Sequence, residues 1–81
     1  MGLVNLPLAS GKDHARAFKK LGWVLDPKRR GRGKHLLLTK AGMRHTLSIP
    51  DEREVKRTII AAMIKLACIT EDDYLRAFHG R

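Results

Sequence analysis

The chain has 81 residues, with 17 Lys+Arg against 8 Asp+Glu and a formal net charge of +9. That length makes one small domain, burying little more than ~60% of its unfolded surface, which excludes a deep substrate cavity between two lobes. The charge selects polyanionic partners: nucleic acid first, then an acidic protein, then an anionic membrane surface.

The start, MGLVNLPLAS, has no basic n-region and too short an apolar part for a signal peptide. No run approaches the ~20 apolar residues of a membrane span. The single cysteine, Cys68, can form no internal disulfide and no thiolate metal cluster, which suits a reducing compartment. These features read as a soluble, cytoplasmic protein: residues 1–9 a poorly ordered lead-in, residues 10–81 one domain.

Ser10, with Asp13 three residues on, predicts a capped helix running to about Leu21, where Gly22 is placed to end it. Its apolar stripe is Ala17, Phe18 and Leu21, with His14 on the inner edge. Trp23-Val24-Leu25 reads as a short strand, stopped by Asp26-Pro27. Lys34 to Lys40 and Met43 to Ile49 read as two more, joined by a tight Ala41-Gly42 turn. A two-residue turn pairs Leu38 with His45, Leu36 with Leu47 and Lys34 with Ile49. One face of the hairpin is then nearly all apolar, with His45 half-buried on it. The other carries His35, Leu37, Thr39, Arg44, Thr46 and Ser48, as expected when helices cover one side only.

Asp51 and Glu54 repeat the capping signature before a second helix with Val55, Ile59, Met63 and Leu66 on its apolar face. Cys68 is expected to pack as a small hydrophobe at its end. Thr70 and Asp73 open a short third helix anchored by Tyr74 and Phe78, with His79 in a fraying tail. The expected fold is α+β: α-β-β-β-α with a three-stranded antiparallel sheet, helices on one face and a short extra C-terminal helix.

Between the first two strands lies DPKRRGRGKH, which packs Lys28, Arg29, Arg30, Arg32 and Lys34 around Gly31 and Gly33. Cations neutralise phosphates and release counterions, and glycines let a backbone come close to one. Lys12, Lys56 and Arg57 extend the basic surface. No aromatic side chain interleaves with these cations, which favours contact with a nucleic-acid backbone over base stacking in the loop.

His35 ends this loop. Its side chain can take and return protons near neutrality, and RNA carries its own nucleophile, the 2′-hydroxyl. A base beside phosphate-binding cations is sufficient chemistry for strand cleavage, whereas a histidine that only holds a phosphate is the plainer reading of composition. No histidine pairs with another ligand at a metal spacing, so neither a metal nor a cofactor is expected.

Four segments taken together resemble the HicA family of toxin-antitoxin mRNA interferases. Ser10-Gly11-Lys12 and Leu21-Gly22-Trp23-Val24-Leu25 are similar to the family's SGK…lGFv start. Gly33-Lys34-His35 stands where the family has Gly-Ser-His, and TLSIP (46–50) where it has a strand running into proline. Glu54 to Thr70, followed by Glu71-Asp72-Asp73-Tyr74, resembles its closing pattern. The likeness spans roughly residues 10–78. It implies a fold like the double-stranded-RNA-binding domain (dsRBD-like) and a metal-independent endoribonuclease toxin. It also implies His35 as the one catalytic histidine; the charge pattern, independently of the resemblance, gives Lys12, Lys28, Arg29, Arg30, Arg32, Gly33, Lys34, Lys56 and Arg57 as the residues expected to hold RNA. The implied partners are mRNA and a cognate HicB-type antitoxin, with no membrane.

The sequence departs from the family where Lys34 replaces Ser, where Thr58 replaces a Gly at the start of the second helix, and where Cys68 replaces its terminal Gly. The alternatives are an attenuated toxin or non-catalytic basic module that only binds RNA, and a domain whose charge matches an acidic protein.

Overall fold

A computed structural model describes residues 5–26 and 35–80. In chain order the elements are α1 (Gly11–Lys20), β1 (Val24–Leu25), β2 (His35–Thr39), β3 (Leu47–Pro50), α2 (Arg57–Leu66) and α3 (Glu71–His79). The three strands form one antiparallel sheet in the order β1-β2-β3. This is the α+β, dsRBD-like order expected from the sequence.

Local chemistry explains the helix starts that the sequence announced. Ser10 accepts a hydrogen bond from the Asp13 N–H at 3.1 Å, and Thr70 accepts one from the Asp73 N–H at 3.1 Å. Each satisfies a backbone donor that the first turn leaves without a partner. The second helix starts differently. Asp51 and Glu54 do not cap it; it begins at Arg57, with Lys56 as an N-cap that makes no side-chain bond. The preceding backbone is committed elsewhere, because the Gly11 N–H donates to Glu52 O and the Val55 N–H to Ala9 O, each at 2.9 Å. Val55 is fully buried ahead of the helix, and the buried helical positions are Ile60 and Ile64.

The hairpin register differs from the expected one by two residues. Leu38 pairs with Leu47, Leu36 with Ile49, Leu37 with Ser48 and His35 with Pro50. The turn is longer than Ala41-Gly42 alone. Met43 N–H closes it onto Lys40 O at 3.0 Å with Gly42 at φ +85, and residues 44–46 then carry the chain to β3. Of the expected strands Lys34–Lys40 and Met43–Ile49, the first ends at Thr39 and the second starts only at Leu47 and runs to Pro50, while Lys34 lies outside the described residues. Side chains alternate with period two, so an even slip keeps the residues that remain paired on their predicted faces. Arg44, His45 and Thr46 leave the ladder, and His45 is exposed instead of half-buried.

Leu38, Leu47 and Ile49 point inward and are fully buried against α1 and α2. Phe18, Trp23, Val55, Ile60 and Tyr74 complete the core, and α3 seats on α1 with the Phe18 and Tyr74 rings 4.8 Å apart. Ahead of α1, Leu6 joins this packing: it is 1% exposed, and its carbonyl accepts from Arg57 Nε at 2.6 Å, while Leu8 is exposed.

Cys68 does not pack inside. It is exposed at φ +58, the left-handed residue that closes α2. Its N–H bonds to Lys65 O at 3.1 Å and the Ile69 N–H to Ile64 O at 3.4 Å, the paired arrangement of a Schellman ending. An L-residue there carries a steric cost of about 1–2 kcal/mol that glycine avoids, partly offset by glycine's freer unfolded chain. Cys68→Gly is therefore expected to stabilise the fold by about 0.5–1 kcal/mol. Thermal melting should show a midpoint higher by a few degrees, and an unchanged or lower midpoint would contradict this account of the turn.

Candidate nucleic-acid interface

His35 opens β2 and faces Pro50, the last residue of β3, so it stands at one end of the sheet, half-buried. Alternation puts it on the side away from the helices, with Leu37 and Thr39 on its own strand, Val24 on β1 and Ser48 on β3. Asp26 continues β1 by one residue, its N–H donating to Leu37 O at 2.9 Å, and so joins the same side.

The N-terminus of α1 is pressed against the end of β3. A Cβ on Gly11 would lie 2.0 Å from Pro50 O, an approach only glycine allows. Lys12, next in the helix, is exposed there. The bond from Val55 N–H to Ala9 O brings the start of α2 to the same segment, with Lys56 exposed at its N-cap. His35, Lys12 and Lys56 thus come from three elements tied together through Pro50, Gly11 and Ala9.

Both helix N-termini carry the positive pole of their dipoles; Asp13 in the first turn of α1 offsets part of it there, whereas α2 has no acid in its first turn. This end of the molecule is suited to anions. Arg57 belongs to it by position, though its Nε is engaged by the Leu6 carbonyl. Lys28, Arg29, Arg30, Arg32, Gly33 and Lys34 lie outside the described residues, in the segment that joins β1 to His35.

The remaining histidines separate by environment. His45 and His79 are exposed, His79 being the last residue of α3 rather than part of a tail beyond it. His14 is fully buried between α1 and α3, its Nδ1 hydrogen-bonded to Tyr74 Oη at 2.5 Å, while Nε2 has no hydrogen-bond partner. Burial lowers its pKa below the ordinary 6.5. The Asp13 carboxylate opposes part of that shift, as does the Pro7 carbonyl, which lies outside hydrogen-bonding geometry. Among the described residues no three His, Cys, Asp or Glu side chains are grouped to hold a metal ion.

A folded-state pKa below the unfolded one means that the unfolded chain binds the extra proton. The stability tied to neutral His14 is therefore complete above about pH 6.5 and is lost as pH falls below it, by at most about 1.4 kcal/mol per pH unit. Denaturant unfolding between pH 7.5 and 5 is expected to show this slope in the wild type and a shallower one in His14→Gln. Equal slopes would remove His14 from the explanation.

Two features of the site escaped sequence reasoning. Gly11 was read only as part of a motif, whereas its hydrogen atom is what lets α1 meet β3. Val24 reads simply as a strand residue: Trp23-Val24-Leu25 is apolar throughout, so nothing in the sequence marks Val24 as the one that faces outward, which the burial of Trp23 beside an exposed Val24 reveals.

Among known families, the model described as the HicA toxin of bacterial toxin-antitoxin matches residues 11–69. No curated protein matches the chain.

Proposed function

The chain belongs to the HicA toxin family of bacterial toxin-antitoxin systems, and from that premise we propose that it is a metal-independent endoribonuclease that cuts mRNA with His35. The observation that carries the proposal is the position of His35 on the helix-free side of the sheet, at the end where Lys12 and Lys56 gather. The +9 chain supplies phosphate affinity through these cations and through Lys28, Arg29, Arg30, Arg32 and Lys34.

In the proposed step the His35 imidazole removes the proton of a 2′-hydroxyl. The 2′-oxygen attacks the adjacent phosphorus, the P–O5′ bond breaks, and the leaving 5′-oxygen takes up a proton. The products are a 2′,3′-cyclic phosphate and a 5′-hydroxyl. Cations stabilise the extra charge on the phosphorane, so the protein needs no cofactor. The partner in the cell is a HicB-type antitoxin that covers His35, and the site of action is the cytoplasm.

The experiment is induced expression of the wild type and of His35→Ala, followed by growth and total-mRNA integrity. Arrest with mRNA loss in the wild type alone supports the ribonuclease. Arrest by both proteins without mRNA loss would instead favour a module that acts by binding.

A further inference from the structure

We infer that the helix-free face of the sheet is a track for single-stranded RNA, in which Leu37 and Val24 seat the bases of the two nucleotides beside the one cut at His35. The inference rests on the RNA-directed reading above and adds to it the strandedness of the substrate and the side chains that hold it.

The geometry comes from register. His35, Leu37 and Thr39 are successive residues on one face of β2, and Val24 lies directly opposite Thr39. Same-face neighbours on a strand are about 6.6–6.8 Å apart, a spacing close to the backbone repeat of an extended single strand. A nucleotide chain with its reacting phosphate at His35 therefore places its next base over Leu37 and the following one over Val24 and Thr39.

The chemistry of the face agrees. Val24 is 61% exposed and Leu37 partly so, while α1 and α2 lie on the opposite side of the sheet. One exposed valine is ordinary on a protein surface. Here Leu37 follows the histidine in its row and Val24 flanks the next position, Thr39, and among the described residues no Lys or Arg belongs to this row.

That arrangement is poor for the closely spaced phosphates of a duplex. It fits the flat apolar faces of bases, which a duplex keeps stacked inside and a single strand can turn outward.

The test uses the full chain carrying His35→Ala, alone and combined with Val24→Thr and Leu37→Thr. Threonine keeps β-propensity, and circular dichroism checks the fold. The probes are a six-nucleotide RNA with 2′-O-methyl groups, which cannot be cleaved, and a duplex of the same sequence, both read by fluorescence anisotropy at one salt concentration. The single strand is expected to bind more tightly than the duplex. The combined variant is expected to lose roughly tenfold on the single strand, as removal of two apolar contacts implies, and almost nothing on the duplex.

Equal affinity for the two probes, no binding of either, or an unchanged single-strand affinity in the variant would overturn the track. Binding does not require cleavage. A wild type that cuts no RNA but shows the binding difference would sink the ribonuclease alone.

Discussion

His35→Ala is expected to lower RNA cleavage by at least a hundredfold while leaving RNA binding within a few-fold of wild type. General base assistance contributes typically about 10²–10⁴ to such a step, and a residue that only binds phosphate contributes to affinity instead. The distinction is readable because the two roles move different parameters. Loss of a transition-state interaction lowers kcat and kcat/KM together, whereas loss of uniform binding raises KM alone. His35 is half-buried on the side of the sheet away from the helices, so its removal leaves Leu38, Leu47 and Ile49 packed as before. Melting of the variant should fall within a few degrees of wild type.

Product chemistry gives an independent reading. A 2′-deoxy substitution at the scissile nucleotide should stop cleavage by the wild type, because the proton that His35 removes is then absent. A variant that cuts as fast as wild type, or a wild type that cuts the deoxy substrate, would remove His35 from the base's role. Lys34, where the family has Ser, makes the comparison more informative, since a cation there changes phosphate affinity without replacing a base.

The parts of this fold that were legible in the sequence are those decided by neighbours in the chain. Ser10 and Thr70 are read correctly because a cap is a bond between residues three apart. Asp51 and Glu54 have the same local pattern and mislead, because the backbone at Glu52 and Val55 is taken by Gly11 and Ala9, more than forty positions away. The hairpin shows how an error can be harmless. Residues 44–46 lengthen the turn and move the register by two, and the period of two returns each side chain that stays paired to its expected face. Position 68 was read from side-chain chemistry alone, and the backbone requirement of a helix ending decided it otherwise.

The site was legible less directly. Alternation placed His35 on the side away from the helices, but its catalytic role came from the resemblance of Gly33-Lys34-His35 and its neighbouring segments to one family. Composition by itself favoured a histidine that merely binds. Lys12 and Lys56 are scattered in sequence, and only long-range backbone contacts reveal that they share an end of the molecule.

Those contacts make Gly11 the position where fold and site depend most on each other, and Gly11→Ala is expected to cost about 2–3 kcal/mol or more. In an ordinary helix the same change is favourable by about 1 kcal/mol, because alanine is the better helix former. Here the added methyl would stand 2.0 Å from Pro50 O, 3.0 Å from Pro50 C and 3.1 Å from Asp51 Cα. All three are backbone atoms, and none can swing aside as the end of a long side chain can. Relief requires α1 to lift or β3 to shift, with strain of the size known for overpacked cores.

The sign of the effect therefore reverses relative to helix propensity, which makes the measurement decisive. For a domain of this size the loss is a large share of a total of roughly 4–12 kcal/mol, and it corresponds to a melting midpoint about 10–20 °C lower. Lys12→Ala, one residue along and exposed, is the control and should stay within about 0.5 kcal/mol. Because Pro50 is the strand partner of His35, Gly11→Ala should also slow cleavage at temperatures where the protein remains folded, whereas Cys68→Gly should not. A Gly11→Ala protein as stable as wild type would show that α1 does not meet β3 as closely as this. The link from Lys12 to His35 through Pro50 would then be lost.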